Sequence, residues 1–136
     1  MVIGIYSPSN PAQEEFARQI LAEELGSEYD ISCSYTIGRI GFLERENASI
    51  LNASLRRFAR HVITGFAHAV HDLKNASLYI TLNDGTLSKA SIAAEHPVRC
   101  FSSGPTNSAR GAALLAKNEC MDLEGDNEVL VVDVGG

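Results

Sequence analysis

The sequence has no long apolar run and no excess of basic residues, and each absence excludes a class of protein. No stretch of the 136 residues approaches the roughly 20 consecutive apolar residues of a transmembrane helix. The opening residues also lack the basic start and apolar core of a secretory signal. A formal net charge of −6 repels nucleic acid and anionic membranes. We therefore expect a cytoplasmic protein whose partners include neither nucleic acid nor a membrane.

Cysteine is scarce, and the commonest catalytic motifs are missing. Cys33, Cys100 and Cys120 are widely spaced and form no C-x-x-C pair, so neither a disulfide framework nor a zinc site is indicated. We expect buried or bystander thiols. The sequence has no G-x-S-x-G elbow and no Walker motif, which argues against the common serine hydrolases and P-loop enzymes.

Charged and titratable residues in the middle of the chain do not form a recognisable site. Three histidines fall on one predicted helix without a matching carboxylate motif, so we expect them to serve packing or the surface. Four arginines at the start of that helix are interpreted as a solvated face, with contact to substrate or a partner as the alternative. The residues concerned are His61, His68 and His71, and Arg45, Arg56, Arg57 and Arg60.

The first third of the chain predicts a strand, a helix and a second strand. Residues 2–6 are apolar and β-prone, and residues 29–35 alternate in polarity. Between them, Asn10 and Pro11 favour a helix start and Gly26 a helix end. Strand, helix and strand at this spacing predict a right-handed parallel unit.

Apolar spacing predicts which helix faces are buried. In the first helix, Phe16, Ile20 and Leu25 form the expected buried face. Residues 44–74 predict one long helix with a single apolar stripe. The stripe consists of Leu51, Leu55, Phe58, Val62, Phe66, Val70 and Leu73.

The rest of the chain continues the alternation. Successive segments predict a third strand, a polar turn, a short helix ended by Pro97, a fourth strand, a loop and a further helix before the last strand. Their ranges are 77–82, 83–86, 87–96, 98–101, 102–108 and 109–118. The fold class is therefore α/β, with a largely parallel or mixed sheet flanked by helices, and 45% hydrophobic residues suffice for a compact core.

Three glycine-containing loops each follow a predicted strand. They read "NDGT" (83–86), "SSGPTNS" (102–108) and "DVGG" (133–136). Each alone is also a good tight turn or helix entry. Ligands gather where parallel strands end, glycine lets backbone N–H groups approach an anion, and an aspartate can hold hydrated magnesium. Together the three loops favour a phosphate site.

The order of five sequence blocks resembles the hydantoinase/oxoprolinase family, ATP-dependent enzymes that open hydantoins and 5-oxoproline, with related carboxylase subunits. The blocks are "IYSPSNPAQEEFARQIL", "ERENASILNASL", "LYITLNDGTL", "HPVRCFSSGPTNSARGAA" and "VLVVDVGG". The resemblance implies an actin-like, sugar-kinase-like ATPase fold. It implies that residues 1–74 end the amino-terminal region and residues 75–136 start the hydantoinase A region. On this basis we expect the chain to be a piece of a larger enzyme, interrupted in or just after a nucleotide-binding motif.

The same resemblance assigns residues to a site for ATP and Mg²⁺. Asp133 matches the position expected to serve magnesium, and Gly135 and Gly136 match the glycines expected at the phosphates. Arg45 and Asn52 match the signature of the long helix, without an assigned role. The other matched positions are Asn83, Asp84, Gly85 and Thr86 in the first loop and Ser103, Gly104 and Pro105 in the second.

The sequence also departs from the family pattern. Many members read S-G-P-A-G-G where this chain has Thr106 and Asn107 after S-G-P, and many have two glycines in place of "DGT". Less glycine means less close backbone approach, so the ligand contact at Thr106 and Asn107, both candidate cofactor-binding residues, is expected to differ from the family's. The variation indicates a subfamily, and the substrate is expected to differ with it. The family's earlier phosphate loop is not in this sequence.

The resulting hypothesis is an ATP-dependent cyclic-amide hydrolase, with a hydantoin or oxoproline-type substrate and a second hydantoinase subunit or domain as partner. The chain alone is expected to be inactive. An ATP-dependent carboxylase subunit and a non-catalytic interaction module are the alternatives. An uncovered strand edge would also allow copies to pair into a homo-oligomer.

Overall fold

The computed structural model describes residues 1–73, 76–119 and 130–134. The regular structure of these residues is mostly helical, with one small sheet. In chain order the elements are α1 (Ala12–Leu25), α2 (Phe42–His71), β1 (Tyr79–Thr81), β2 (Leu87–Lys89), α3 (Ala90–Glu95) and α4 (Ser103–Glu119). Within the described ranges, no helix combines the length and the apolar character needed to cross a membrane.

Helix α1 forms where the sequence predicts it, but it buries a different face. The Asn10 side chain accepts a hydrogen bond from the Ala12 N–H at 3.1 Å, and Gly26, at φ 77°, ends the helix. The predicted buried face is wrong, because Phe16 is 66% exposed. Instead α1 buries Glu14, since its first turn packs on the segment around Cys33.

The two strands predicted around α1 reduce to a single parallel bridge. Val2 pairs with Cys33, with hydrogen bonds from the Val2 N–H to Ser32 and from the Ser34 N–H to Val2. The parallel relation is therefore present at one position. Residues 5–9 turn, and residues 34–36 form a 3₁₀ turn, so the strands do not extend further.

Helix α2 confirms the predicted long helix over 30 residues. It starts directly after Gly41, whose φ of 114° favours glycine. The fully buried side chains of this helix are polar, namely Arg45, Ser49 and Asn52, which share one face. Much of the predicted apolar stripe is exposed: Phe58 is 68% and Phe66 is 58% accessible.

The third predicted strand is β1, but it pairs antiparallel with β2 rather than joining a parallel sheet. Tyr79 lies opposite Lys89 and Thr81 opposite Leu87. Residues 83–86 close this hairpin, because Gly85 adopts φ 79° and reverses the chain. Residues 87–89, predicted as helix, are thereby recruited into the sheet.

The fourth predicted strand, 98–101, is wrong. Residues 97–99 form a 3₁₀ turn, which fits proline at its first position. Helix α3 ends before Pro97, as predicted. Helix α4 begins at Ser103, six residues earlier than expected from the sequence, so the S-G-P motif is its first turn and not a loop.

The described residues bury polar groups more than apolar ones, contrary to the expected compact apolar core. The buried hydrophobic residues are Cys33, Ala93 and Ala94. The buried polar and charged residues are Ser7, Glu14, Ser32, Ser34, Arg45, Ser49 and Asn52. Contacts between α2, α3 and the 97–99 turn bring the middle of the chain together, while large apolar side chains of α2 and α4 face outwards.

Candidate functional site

Two of the three glycine loops lie against each other. The Thr106 hydroxyl donates a hydrogen bond to the Asn83 carbonyl at 3.0 Å, and the Asn107 side chain donates to the Thr81 hydroxyl at 2.9 Å. The Arg110 guanidinium donates to the Gly85 carbonyl at 3.0 Å. These hydrogen bonds hold the first turns of α4 against the 83–86 turn.

The 83–86 turn is shaped by its own side chains. Asp84 Oδ1 accepts hydrogen bonds from the Thr86 N–H at 2.8 Å and the Thr86 hydroxyl at 2.6 Å, and these bonds lower the pKa of the Asp84 carboxyl. Asn83 is tied to the 97–99 turn, since its N–H donates to the Arg99 carbonyl at 2.6 Å. In this structure the side chains of Asp84 and Thr86 thus stabilise the turn.

The start of α4 has the chemistry of an anion site. The first N–H groups of a helix have no partner within the helix and carry a partial positive charge. At Gly104 a β-carbon would meet no atom within 4 Å, so space is open on this side of the helix. Ser103 is half-buried beside it, and its N–H already donates to the Cys100 carbonyl at 3.2 Å. Pro105 has no N–H to offer, which leaves Gly104 as the most accessible donor.

Thr106 and Asn107, the departures from the family pattern, have a structural explanation. Both use their side chains to fasten α4 to the hairpin, as the contacts with Asn83 and Thr81 show. A glycine at either position could not make these contacts.

The described part of the third loop takes no part in the hydrogen bonds that join the other two loops. Asp133 is exposed and lies in residues 130–134, which form no helix or strand. None of the hydrogen bonds of the 83–86 turn or of the α4 start involves it. Gly135 and Gly136 lie outside the described residues.

A buried polar cluster centres on Glu14, which sequence reasoning missed. Its carboxylate accepts hydrogen bonds from the Gly4 N–H at 2.8 Å, the Ser34 hydroxyl at 2.5 Å and the Tyr35 N–H at 3.2 Å. The Arg45 Nε donates to the same Ser34 hydroxyl at 3.0 Å. Ser34 therefore bridges a buried carboxylate and a buried guanidinium, which is how the cluster balances its charge.

The protonation of Glu14 follows from these donors. Burial alone raises the pKa of its carboxyl, but hydrogen bonds to the ionised form outweigh burial and hold the pKa below its ordinary value. In decreasing order of effect the donors are Ser34, Gly4, Ser7 and Tyr35. The cluster therefore contains a carboxylate at neutral pH.

Arg45 fastens the amino-terminal segment to α2. Its guanidinium donates to the carbonyls of Gly4 at 2.5 Å, Ile5 at 3.2 Å and Arg39 at 2.9 Å. These contacts use the planar five-donor geometry that lysine lacks.

Asn52 fastens the segment that carries the candidate site. Its amide donates to the Glu95 carbonyl at 3.3 Å and accepts from the Val98 N–H at 3.2 Å. Asn52 thereby holds the end of α3 and the turn before α4 against α2. Arg45 and Asn52, the two residues that match the signature of the long helix, thus position other segments of the chain in this structure.

The predicted basic patch does not form one solvated face. Arg56 and Arg60 both pair with the Glu95 carboxylate, and Arg60 also pairs with Asp30 at 2.8 Å. Arg45 is buried, while Arg57 is exposed. The spacing of Arg45, Ser49 and Asn52 at i, i+4 and i+7 is a helical stripe of polar residues, and this was the available signal for a polar contact face.

The thiols behave as expected where the structure describes them. Cys33 is buried and Cys100 half-buried. Burial raises the pKa of both thiols, so they remain neutral near pH 7. Cys120 lies outside the described residues.

Comparison with known proteins confirms the family resemblance. A family model described as hydantoinase/oxoprolinase matches residues 45–136, about two-thirds of the chain. The match starts at the buried Arg45 and includes the 83–86 turn, the start of α4 and Asp133. No curated protein and no solved structure matched the chain. The chain belongs to the hydantoinase/oxoprolinase family.

Proposed function

We propose that these residues form one side of the nucleotide site of an enzyme that opens a cyclic amide at the expense of ATP. Family membership supports the reaction class, a cyclic-amide hydrolase. The location of the proposed nucleotide site rests on one observation: the start of α4, which carries the S-G-P motif, packs against the 83–86 turn through the hydrogen bond from Thr106 to Asn83.

The groups present fit part of such a site. The open space at Gly104 and the N–H groups at the start of α4 suit a phosphate oxygen, and the Ser103 hydroxyl adds a donor. Asp133 offers an exposed carboxylate of the kind that binds hydrated Mg²⁺, and Gly135 and Gly136 are proposed to approach the phosphates.

The chemistry divides between cofactor and protein. When bound, ATP with Mg²⁺ would supply the phosphoryl group that turns the amide oxygen into a better leaving group. The residues named here would orient the phosphates through hydrogen bonds and hold the magnesium ion that offsets their charge, without themselves reacting. The Gly104 N–H would donate to a phosphate oxygen, while Thr106 and Asn107 keep that N–H in place by holding α4 on the hairpin.

We further propose that the chain works as part of a longer enzyme, against another domain or subunit. Support comes from exposed apolar side chains along α2 and α4: Phe58, Phe66, Leu114 and Leu115 are each more than half accessible. In the longer enzyme, another domain or subunit would cover these side chains, since exposed apolar surface is typical of protein–protein contacts.

The test is calorimetric titration of Mg·ATP into this chain and into a family enzyme that extends these residues on both sides. We expect binding by the longer protein, loss of most of it in Asp133→Asn, and no change in Asp72→Asn, an exposed aspartate at the end of α2. Absence of binding by either protein would contradict the proposal and favour an interaction module. Turnover that depends on bicarbonate would favour a carboxylase subunit instead.

A further inference from the structure

Helix α2 presents uncompensated positive charge at Arg57. From residue 47 to residue 71 the helix carries no aspartate or glutamate, although the chain as a whole has a net charge of −6. Arg56 and Arg60 are compensated, because both pair with the Glu95 carboxylate. Arg57 is exposed and pairs with no carboxylate in the part of the chain that the structure describes.

An elongated groove of about 520 Å³ extends from Arg57 along α2. His61, Thr64, Gly65 and His68 line it as well, and all four are exposed. Apart from the glycine, the lining residues from Arg57 to His68 recur every three or four positions and therefore share one face of the helix. At a rise of 1.5 Å per residue, this face extends over about 16 Å.

Gly65 lies inside the 30-residue helix, where glycine is less favourable than alanine. A β-carbon at this position would meet no atom within 4 Å. Packing among the described residues therefore does not require glycine here. The missing side chain leaves the helix backbone open to the close approach of another chain.

The donors of the groove suit carboxylates. The Arg57 guanidinium can bind a carboxylate through two parallel hydrogen bonds, the Thr64 hydroxyl is a further donor, and each histidine offers a ring N–H. Asp30 borders the groove, but its carboxylate is already held by Arg60 at 2.8 Å. The groove is therefore suited to anionic groups.

The length of the groove favours a peptide over a small ion. An extended peptide advances about 3.3 Å per residue, so about five residues cover the 16 Å. Acidic side chains at every second residue lie about 7 Å apart on one side of such a peptide, close to the rise of about 6 Å from Arg57 to His61. Nucleic acid is disfavoured, because the net charge of −6 repels it.

We propose that this face of α2 docks an extended acidic segment of a partner protein. Its carboxylates bind Arg57 and His61, and its backbone passes over Gly65. The residues that line the groove belong neither to the 83–86 turn nor to the start of α4, so the docking surface does not depend on the proposed nucleotide site.

The test is a ¹H–¹⁵N NMR titration of the whole chain with a five-residue peptide of alternating glutamate and serine. A second peptide, with glutamine in place of each glutamate, is the neutral comparison. We expect the acidic peptide to shift the amide signals of Arg57, His61, Thr64 and Gly65, and the glutamine peptide to leave them unchanged. Binding should weaken as salt is added, because exposed charges are screened.

Two pairs of variants sharpen the test. Arg57→Gln should weaken binding of the acidic peptide about fivefold or more, whereas Arg39→Gln, at an exposed position before α2, should leave it unchanged. Gly65→Ala should weaken binding about threefold or more while raising the midpoint of urea unfolding, since alanine favours the helix. Gly111→Ala is its control: a β-carbon there also meets no atom within 4 Å of α4, so the midpoint should rise without a change in binding.

Several results would overturn the proposal. They are no shift with the acidic peptide, equal shifts with the glutamine peptide, or peptide binding that Arg57→Gln or Gly65→Ala leaves unchanged. Shifts of the same signals that are as large with inorganic phosphate, or with a single-stranded DNA oligonucleotide, would also overturn it, because the face would then bind anions without regard to the peptide.

Discussion

Replacing Glu14 by glutamine should destabilise the protein far more than a neutral, nearly isosteric change usually does. The Glu14 side chain is 1% exposed and accepts hydrogen bonds from Gly4, Ser34 and Tyr35. Glutamine keeps one acceptor oxygen and puts an NH₂ group where the other oxygen was. That NH₂ group faces donors and cannot accept from them.

The magnitude follows from the hydrogen bonds affected. A bond to a charged group contributes about 1.5–3 kcal/mol and a neutral bond about 0.5–1.5 kcal/mol. Glu14→Gln removes at least one charged bond and turns the others into neutral ones. We therefore expect the free energy of unfolding to fall by about 3 kcal/mol at pH 7.

Urea unfolding followed by far-UV circular dichroism measures this difference. Glu24→Gln is the matched control, because Glu24 is exposed near the other end of α1 and should change the free energy of unfolding by no more than about 0.5 kcal/mol. If Glu14→Gln lowers the free energy of unfolding by less than about 1 kcal/mol, the reasoning is refuted, because the hydrogen bonds to Glu14 would then not gain strength from its charge.

Three further outcomes are expected. Asn52→Ala leaves the Val98 N–H unpaired, so the free energy of unfolding in urea should fall by about 1–3 kcal/mol. Asn47→Ala, at an exposed position of the same helix, is the control and should change the free energy of unfolding little. Gly85→Ala should cost about 1–2 kcal/mol, because φ is 79° there and a β-carbon would lie 2.4 Å from Arg110 Cδ; an unchanged denaturation midpoint would contradict this. The pKa of Glu14 in the folded protein lies below its ordinary value of 4.5, so the ionised carboxylate stabilises the fold at pH values above 4.5. This stabilisation is lost as the pH falls through the lower pKa of the folded state. The difference between Glu14→Gln and the unaltered chain should therefore shrink between pH 7 and pH 3, and a constant difference would argue against it.

Sequence alone predicted the elements that depend on local signals. Pro11 and Gly26 bound α1, Pro97 ends α3, and three- and four-residue spacing marks α2. The 83–86 turn was placed correctly because Asp and Gly at its centre favour chain reversal in any context.

Sequence did not predict which partners those elements choose. Residues 87–89 were predicted as helix, so the antiparallel pairing of β1 with β2 was missed. The parallel relation of the segments on either side of α1 was predicted, and the structure has it at the single position where Val2 pairs with Cys33. Apolar spacing indicated a buried stripe on α2, yet the packed face carries Arg45 and Asn52, because their side chains bind backbone groups from other segments. The contact between Thr106 and Asn83 had no sequence signal beyond two candidate loops.

The central claim is that these residues belong to an enzyme that couples ATP hydrolysis to the opening of a cyclic amide. Its most direct test is phosphate release from Mg·ATP by the longer enzyme proposed above, with and without hydantoin or 5-oxoproline. The account predicts phosphate release that rises with one of these amides and matches ring opening mole for mole. Ring opening without ATP consumption, or ATP turnover that neither amide changes, would contradict it.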